Sequence, residues 1–244
     1  MTSVLKIDQL SRAFGAVKVA DNLCLDIAEG EAVGILGPNG AGKTSLFNLI
    51  TGALKADGGT IHYRGSDITR EPAQNRCRGG IARSFQIPQP FSGMTVFENC
   101  LVAATQAGGL RGRKAEQFVI EVLEETALLE KANIKSGALT LLDRKRLEMS
   151  RALATKPSVL LLDEIAGGLT EAECGELIAS VKRVRESGTT IIWIEHVVHA
   201  LLAVVDRLVV LDFGKIIADG DPQTTFKSDV VKQIYLGVGW SESE

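Results

Sequence analysis

The chain has 244 residues, enough to bury a substantial core in one large domain or two small ones. Its 45% hydrophobic and 23% charged residues are those of an ordinary globular protein. A formal net charge of −3 disfavours nucleic-acid binding, since no Lys/Arg run exceeds a local cluster such as Arg144-Lys145-Arg146.

The four cysteines, Cys24, Cys77, Cys100 and Cys174, form no C-x-x-C pair. They are expected to be partly buried thiols in a reducing cytoplasm rather than metal ligands. The segment Met1-Thr2-Ser3-Val4-Leu5-Lys6-Ile7-Asp8 has charges where a signal peptide needs an apolar core. No apolar run approaches the roughly 18–20 residues that cross a bilayer, so a membrane role is expected only through a partner.

In chain order, residues 4–10 and 23–27 alternate as short strands, with a turn at Glu29-Gly30. Ala32-Val33-Gly34-Ile35-Leu36 is apolar throughout and reads as a buried strand. It runs into Gly37-Pro38-Asn39-Gly40-Ala41-Gly42-Lys43-Thr44, and Ser45-Leu46-Phe47-Asn48-Leu49-Ile50 continues at helical spacing. This is the phosphate-loop pattern G-x-x-x-x-G-K-[ST], in which glycines let successive N–H groups turn inward around phosphates. The helix behind it aims its positive end at the same anion. Lys43 can reach the β- and γ-phosphates of ATP, and the Thr44 hydroxyl can ligate Mg²⁺.

Further strands are expected at 60–63, 81–85, 159–162, 189–194, 208–211 and 215–218. From about 96 to 154 the pattern turns helical, which suggests a helical subdomain inserted in an α/β core. Residues 239–244 read as a polar tail after a single domain spanning 1–238.

Two strand ends carry further chemistry. Ser158-Val159-Leu160-Leu161-Leu162 ends in Asp163-Glu164, at the sheet edge where α/β folds gather ligand-binding groups. Asp163 can hold Mg²⁺ through water, and Glu164 can act on the attacking water as a general base. Thr189-Thr190-Ile191-Ile192-Trp193-Ile194 ends in Glu195-His196, where His196 suits contact with a γ-phosphate or its water. His62 and His199 read as structural.

The order of these motifs, with Gln86 after a strand and helical sequence before the Asp-Glu pair, resembles the ATP-binding cassette (ABC) ATPases over nearly the whole chain. The resemblance implies a P-loop NTPase core with an antiparallel β subdomain and an inserted α-helical subdomain. It also implies a dimer in which each ATP lies between one subunit's phosphate loop, including Ser45, and the other subunit's signature motif. By the same likeness Phe14 stacks on adenine, Gln86 touches Mg²⁺, Glu164 is the catalytic base and His196 the switch histidine. The residues themselves leave open that Phe14 fills the core of its hairpin.

Arg83-Ser84-Phe85-Gln86, Met94-Thr95-Val96-Phe97-Glu98-Asn99 and Ile234-Tyr235-Leu236-Gly237 are similar to the branched-chain amino acid importer ATPases. That likeness implies integral membrane permease subunits, indirectly a periplasmic or extracellular solute-binding protein, and a place on the cytoplasmic face of the bacterial inner membrane. The segment from Gln86 to Asn99 is expected to face the permease. Its Ile87, Phe91, Met94 and Phe97 suit docking, or else cover the helical core.

The signature region departs from the family. Leu139-Thr140-Leu141-Leu142-Asp143 stands where L-S-G-G-Q is usual, with Leu142 replacing a glycine that lets backbone approach the γ-phosphate. Asp143 adds negative charge there, Ile165 replaces a common proline, and Gly167-Gly168-Leu169-Thr170 lacks the usual closing Asp or Asn. These departures favour a heterodimer with a second ABC ATPase subunit over a homodimer. Two other readings stay open: a soluble ABC-type regulator or nucleic-acid ATPase, and a weakly hydrolysing nucleotide-binding subunit.

Overall fold

The computed structural model describes residues 2–236. The polar tail expected at 239–244, the boundary at 238 and Gly237 lie outside the described residues.

Two sheets form the framework. The first is antiparallel, in the order β2-β1-β4-β5, and is built from β1 (Ser3–Phe14), β2 (Val17–Ala28), β4 (Gly58–Tyr63) and the short β5 (Ser66–Asp67). β1 and β2 are longer than the alternating stretches 4–10 and 23–27 that the pattern shows. Register shifts flank Leu10, and Gln9 and Asn22 adopt positive φ (47° and 50°), so the apolar/polar alternation breaks while the strands continue.

The second sheet has the order β10-β9-β3-β8-β7-β6. Its parallel members are β3 (Ala32–Leu36), β6 (Ile81–Arg83), β7 (Val159–Asp163), β8 (Thr190–Ile194) and β9 (Arg207–Asp212), with β10 (Lys215–Gly220) antiparallel at one edge. β3, β7 and β8 are buried at every residue, which is why they read as continuous apolar runs. β6 stops two residues short of the expected 81–85. It is an edge strand, and after Ser84 donates to the Leu161 carbonyl at 2.9 Å the chain leaves the sheet and exposes Phe85.

The parallel sheet separates two apolar cores. Val33, Ile35, Leu161, Ile192 and Val209 face the antiparallel sheet and α1 (Lys43–Thr51). Leu36, Leu160, Leu162, Trp193 and Val210 face the helices α5 (Leu141–Ala154), α6 (Glu171–Glu186) and α7 (Val198–Leu202). A third core, with Val96, Cys100, Val119, Leu123 and Leu147, lies among α3 (Val96–Gln106), α4 (Arg113–Glu125) and α5. The fold is therefore α/β, with an antiparallel β unit on one side and a helical unit inserted between β6 and β7.

Helix starts follow local chemistry. Thr95 with Glu98, and Thr170 with Glu173, form capping boxes for α3 and α6, while Thr140 caps α5. Among the described residues the remaining α-helices are α2 (Ala73–Gly79), which packs near α1, and α8 (Pro222–Phe226) and α9 (Asp229–Leu236) near the β9–β10 edge. Among the described residues, no helix is long and apolar enough to cross a membrane.

Candidate nucleotide site

The loop from Gly37 to Thr44 joins β3 to α1 at the carboxyl end of the parallel sheet. Gly42 caps α1 at φ 102°, and a Cβ there would run into the Val19 carbonyl, so both conformation and space require glycine. Ala41 accepts a hydrogen bond from Gly214 N–H (2.9 Å), and Ala41 N–H donates to Pro38 (3.2 Å). Asn39, Gly40 and Thr44 are exposed, and Ser45 is half-buried.

Lys43 is 5% exposed, and its Nζ donates to the carbonyls of Gly37 (2.6 Å) and Pro38 (3.0 Å). Burial holds its amine below the usual lysine range, against the attraction of Glu164 and Asp163. The ammonium is thus folded back on its own loop, on acceptors weaker than a phosphate oxygen.

Asp163 ends β7 almost fully buried and pairs with Arg83. The same guanidinium donates to Asn48 Oδ1 of α1 at 2.6 Å and lies against Phe47 and Phe85, 5.5 and 5.3 Å from their ring centroids. Thr44, Arg83, Gln86 and Asp163 line one cavity of about 500 Å³. The oxygens of Thr44, Gln86 and Asp163 are a hydroxyl, an amide and a carboxylate. That set fits Mg²⁺, a hard cation that fills its shell with substrate phosphates and water.

Glu164 is the junction of three side chains expected to share the chemistry. Its φ of 47° is left-handed, a conformation that costs a residue with a side chain roughly 1–2 kcal/mol. Its N–H donates to Ile194 of β8 at 2.8 Å, which holds the turn. Gln86 Nε2 donates to one carboxylate oxygen at 2.6 Å, and His196 Nε2 lies 2.9 Å from the other. The structure therefore brings Gln86, Glu164 and His196 into direct contact, although they come from three separate loops.

Phe14 is 50% exposed, with the Arg12 guanidinium 4.8 Å from its ring centroid, so it does not fill the hairpin core. It pairs with Val17, two residues before the Val19 carbonyl that abuts Gly42. Its half-exposed ring therefore lies at a hairpin end near the phosphate loop, with Arg12 against it. His62 lies in β4 opposite Lys6 and Asp67, whereas His199 is exposed on α7 with Nε2 3.6 Å from Cys174 Sγ.

The segment at the signature position turns partly inward. Leu142 is buried in the second core, and it is Leu141, 44% exposed, that faces out. Asp143 is buried against Lys131 (2.5 Å) and accepts from the Thr140 hydroxyl (2.8 Å), with Arg146 3.9 Å away. The negative charge expected near an anion is thus neutralised inside the fold. Lys145 and Arg146, two of the three residues in the local basic cluster, are also buried.

Residues 20–167 match the family model described as ABC transporter. The chain belongs to the ABC transporter ATP-binding family. It is 36% identical over 249 residues to the high-affinity branched-chain amino acid transport ATP-binding protein LivG of Salmonella typhimurium, covering 96% of this chain and 98% of that one. The lipopolysaccharide export system ATP-binding protein LptB of Haemophilus influenzae is 32% identical, with the same coverage. A crystallised ATP-binding cassette of an ABC transporter in its ADP conformation superimposes with a TM-score of 0.89 at 30% identity, covering 97% of this chain and all of that one. The chain is therefore an ABC ATPase, the ATP-binding and ATP-hydrolysing subunit of a transporter.

Several groups of this candidate site escaped sequence reasoning. Arg83 read only as part of a family motif, because nothing local shows that the end of β6 lies beside Asp163. Glu195 read as the end of a strand, although it is 1% exposed. No local signal separates it from Glu164, which also follows a strand of five buried residues yet is only half-buried. Lys145 belonged to a basic cluster, yet its Nζ donates to the Glu164 carbonyl at 3.4 Å.

Proposed function

We propose that this ABC ATPase energises import of branched-chain amino acids or a related small polar solute, working with Mg²⁺ on the cytoplasmic face of the inner membrane. The observation that carries the catalytic part is the Glu164 carboxylate held between Gln86 and His196. The amino acid cargo rests on likeness to LivG across nearly the whole of both chains.

ATP phosphates would draw Lys43 off the Gly37 and Pro38 carbonyls, since a phosphate oxygen is the stronger acceptor. N–H groups of Asn39, Gly40, Gly42, Thr44 and Ser45, with that of Ala41 once it leaves the Pro38 carbonyl, would surround the same phosphates, and Phe14 would stack on adenine. Mg²⁺, held by Thr44, Asp163 and Gln86, would neutralise charge on the β- and γ-phosphate oxygens. Glu164 accepts a proton from water as its oxygen bonds to the γ-phosphorus. The bond from that phosphorus to the bridging oxygen breaks, and ADP leaves with the electron pair. His196 donates to the transferring group and orients the water.

Two surfaces support the reading of the partners. Phe85, Ile87, Phe91 and Met94 are exposed along the loop after β6, whereas Phe97 packs on the third core. Asn99 braces that loop, accepting from Phe91 N–H (2.9 Å) and donating to the Thr95 carbonyl (2.8 Å). We take this braced apolar segment as the permease-docking face, and 96–154 as a helical subdomain that moves with it within a single nucleotide-binding domain. A solute-binding protein would act through the permease.

The engaged Thr140 hydroxyl and the outward Leu141 leave a poor donor set for an opposing phosphate. That supports a heterodimer whose second ABC subunit supplies a competent signature. Equal ATPase rates with and without such a subunit would count against it.

The test is purification of the native complex in mild detergent, with phosphate release by wild type and Glu164→Gln. The reading expects integral membrane permease subunits to accompany the chain, and activity reduced by ~10²–10⁴ in the variant. Equal rates for the two proteins would mark an inert nucleotide binder, and recovery without any membrane protein would remove the transport role.

A further inference from the structure

We propose that Glu195 is a positioning residue that fastens the loop of Glu164 to the loop of His196, so that the two catalytic side chains meet in one fixed geometry. The inference rests on the roles given above to Glu164 and His196.

Glu195 follows the last residue of β8 and is 1% exposed. One carboxylate oxygen accepts from the Ala166 N–H at 2.8 Å, two residues beyond Glu164. The other accepts from the N–H of His196 at 3.0 Å and, more weakly, of Val197 at 3.5 Å. One carboxylate thus supplies an acceptor to each of the two loops that carry the Glu164–His196 contact.

A buried carboxylate needs such donors, because an unpaired one is expensive to desolvate. Burial pushes its carboxyl above the usual range, while the three N–H groups and Lys145 pull the other way. Lys145 of α5, itself buried, faces Glu195 and donates to the Glu164 carbonyl. The Glu164 loop is therefore held at two points, the carbonyl of 164 and the N–H of 166. Its strained φ of 47° at Glu164 is set between them and the Ile194 contact.

The chemistry requires two acceptor oxygens. Glutamine keeps the size of the side chain but offers one oxygen and one NH₂, so it accepts from one loop and turns a donor toward the other's N–H. The loops would then be uncoupled with little change in packing.

The experiment compares wild type, Glu195→Gln, His196→Ala and the double variant in the purified transporter complex, with Glu164→Gln as a separate control. The expected result is a kcat lowered at least fivefold in Glu195→Gln, with KM and nucleotide Kd within twofold of wild type. Because Glu195 acts through the Glu164–His196 pair, Glu195→Gln should cost less than twofold more in the His196→Ala background. A smaller kcat loss, a matching rise in KM, or a further cost of twofold or more in the His196→Ala background would overturn the proposal. Hydrogen exchange on the wild-type chain gives a check that needs no variant: the amides of Ala166 and His196 should be protected, and free exchange at either would also overturn it. Normal activity in Glu164→Gln would instead defeat the catalytic reading on which the proposal stands.

Discussion

Replacing Arg76 with methionine should destabilise the whole fold, although the residue lies outside the chemistry. Arg76 in α2 is 3% exposed, and its Nη1 donates to the carbonyls of Leu49 (2.7 Å) and Ile50 (2.9 Å) in the last turn of α1. Its Nε and Nη2 donate to Glu71 (3.0 Å) and Thr69 (2.9 Å). A single guanidinium thus caps the helix that starts at the phosphate loop and ties it to the segment before α2. Losing it deprives two buried carbonyls of a charged donor, at about 1–3 kcal/mol each.

Three effects reduce that sum. Leu49 keeps the Gly52 N–H at 3.3 Å, the partly buried Glu71 and Thr69 carbonyls can take water, and removing the cation relieves the burial that lowers its pKa. The net loss should be about 2–4 kcal/mol, a large part of the roughly 5–15 kcal/mol that keeps a domain folded. For a chain of this size that is a fall in Tm of roughly 5–15 °C. Urea and thermal unfolding of the full chain measure it, with Arg76→Lys expected between methionine and wild type. A loss below about 1 kcal/mol in Arg76→Met would refute the view that this guanidinium caps α1.

Two other outcomes follow from exposure and burial. Phe14→Ala should weaken nucleotide binding roughly 5–150-fold, the equivalent of about 1–3 kcal/mol of base stacking, with stability within about 0.5 kcal/mol because the ring is half exposed. Titration with a fluorescent adenine nucleotide checks this, and a change under threefold would place adenine elsewhere. Iodoacetamide on the native protein should modify exposed Cys24 first and spare Cys100, whose thiol is buried in the third core and pushed up to about 12. Mass spectrometry of the labelled peptides reads the order, and labelling of Cys100 as fast as Cys24 would mean that the helical core is not closed.

The sequence alone determined the parts whose chemistry is local. A phosphate loop needs consecutive residues, so 37–44 announces itself between a buried strand and a helix. β3 was legible to the residue because burial on both faces leaves an unbroken apolar run, and β7 and β8 nearly so. Strand ends carried Asp163, Glu164 and His196 into view for the same reason. The hairpin was read short because bulges at Gln9 and Asn22 interrupt the only pattern that marks a half-buried strand.

Tertiary structure decided everything that depends on which loop meets which. Gln86 and His196 reach the same carboxylate because β6, β7 and β8 lie side by side, an order no local pattern contains. Leu142 and Asp143 looked like faults facing a phosphate, yet the helix turn from Thr140 points them into the protein and leaves Leu141 outside. Arg83, Lys145 and Glu195 are charged, which on average means exposed, and only the packing shows that Arg83 is half-buried against Asp163, while Lys145 and Glu195 are buried on the Glu164 carbonyl and on a row of N–H donors. A sequence shows what a residue can offer, and burial with its partners decides where that offer is used.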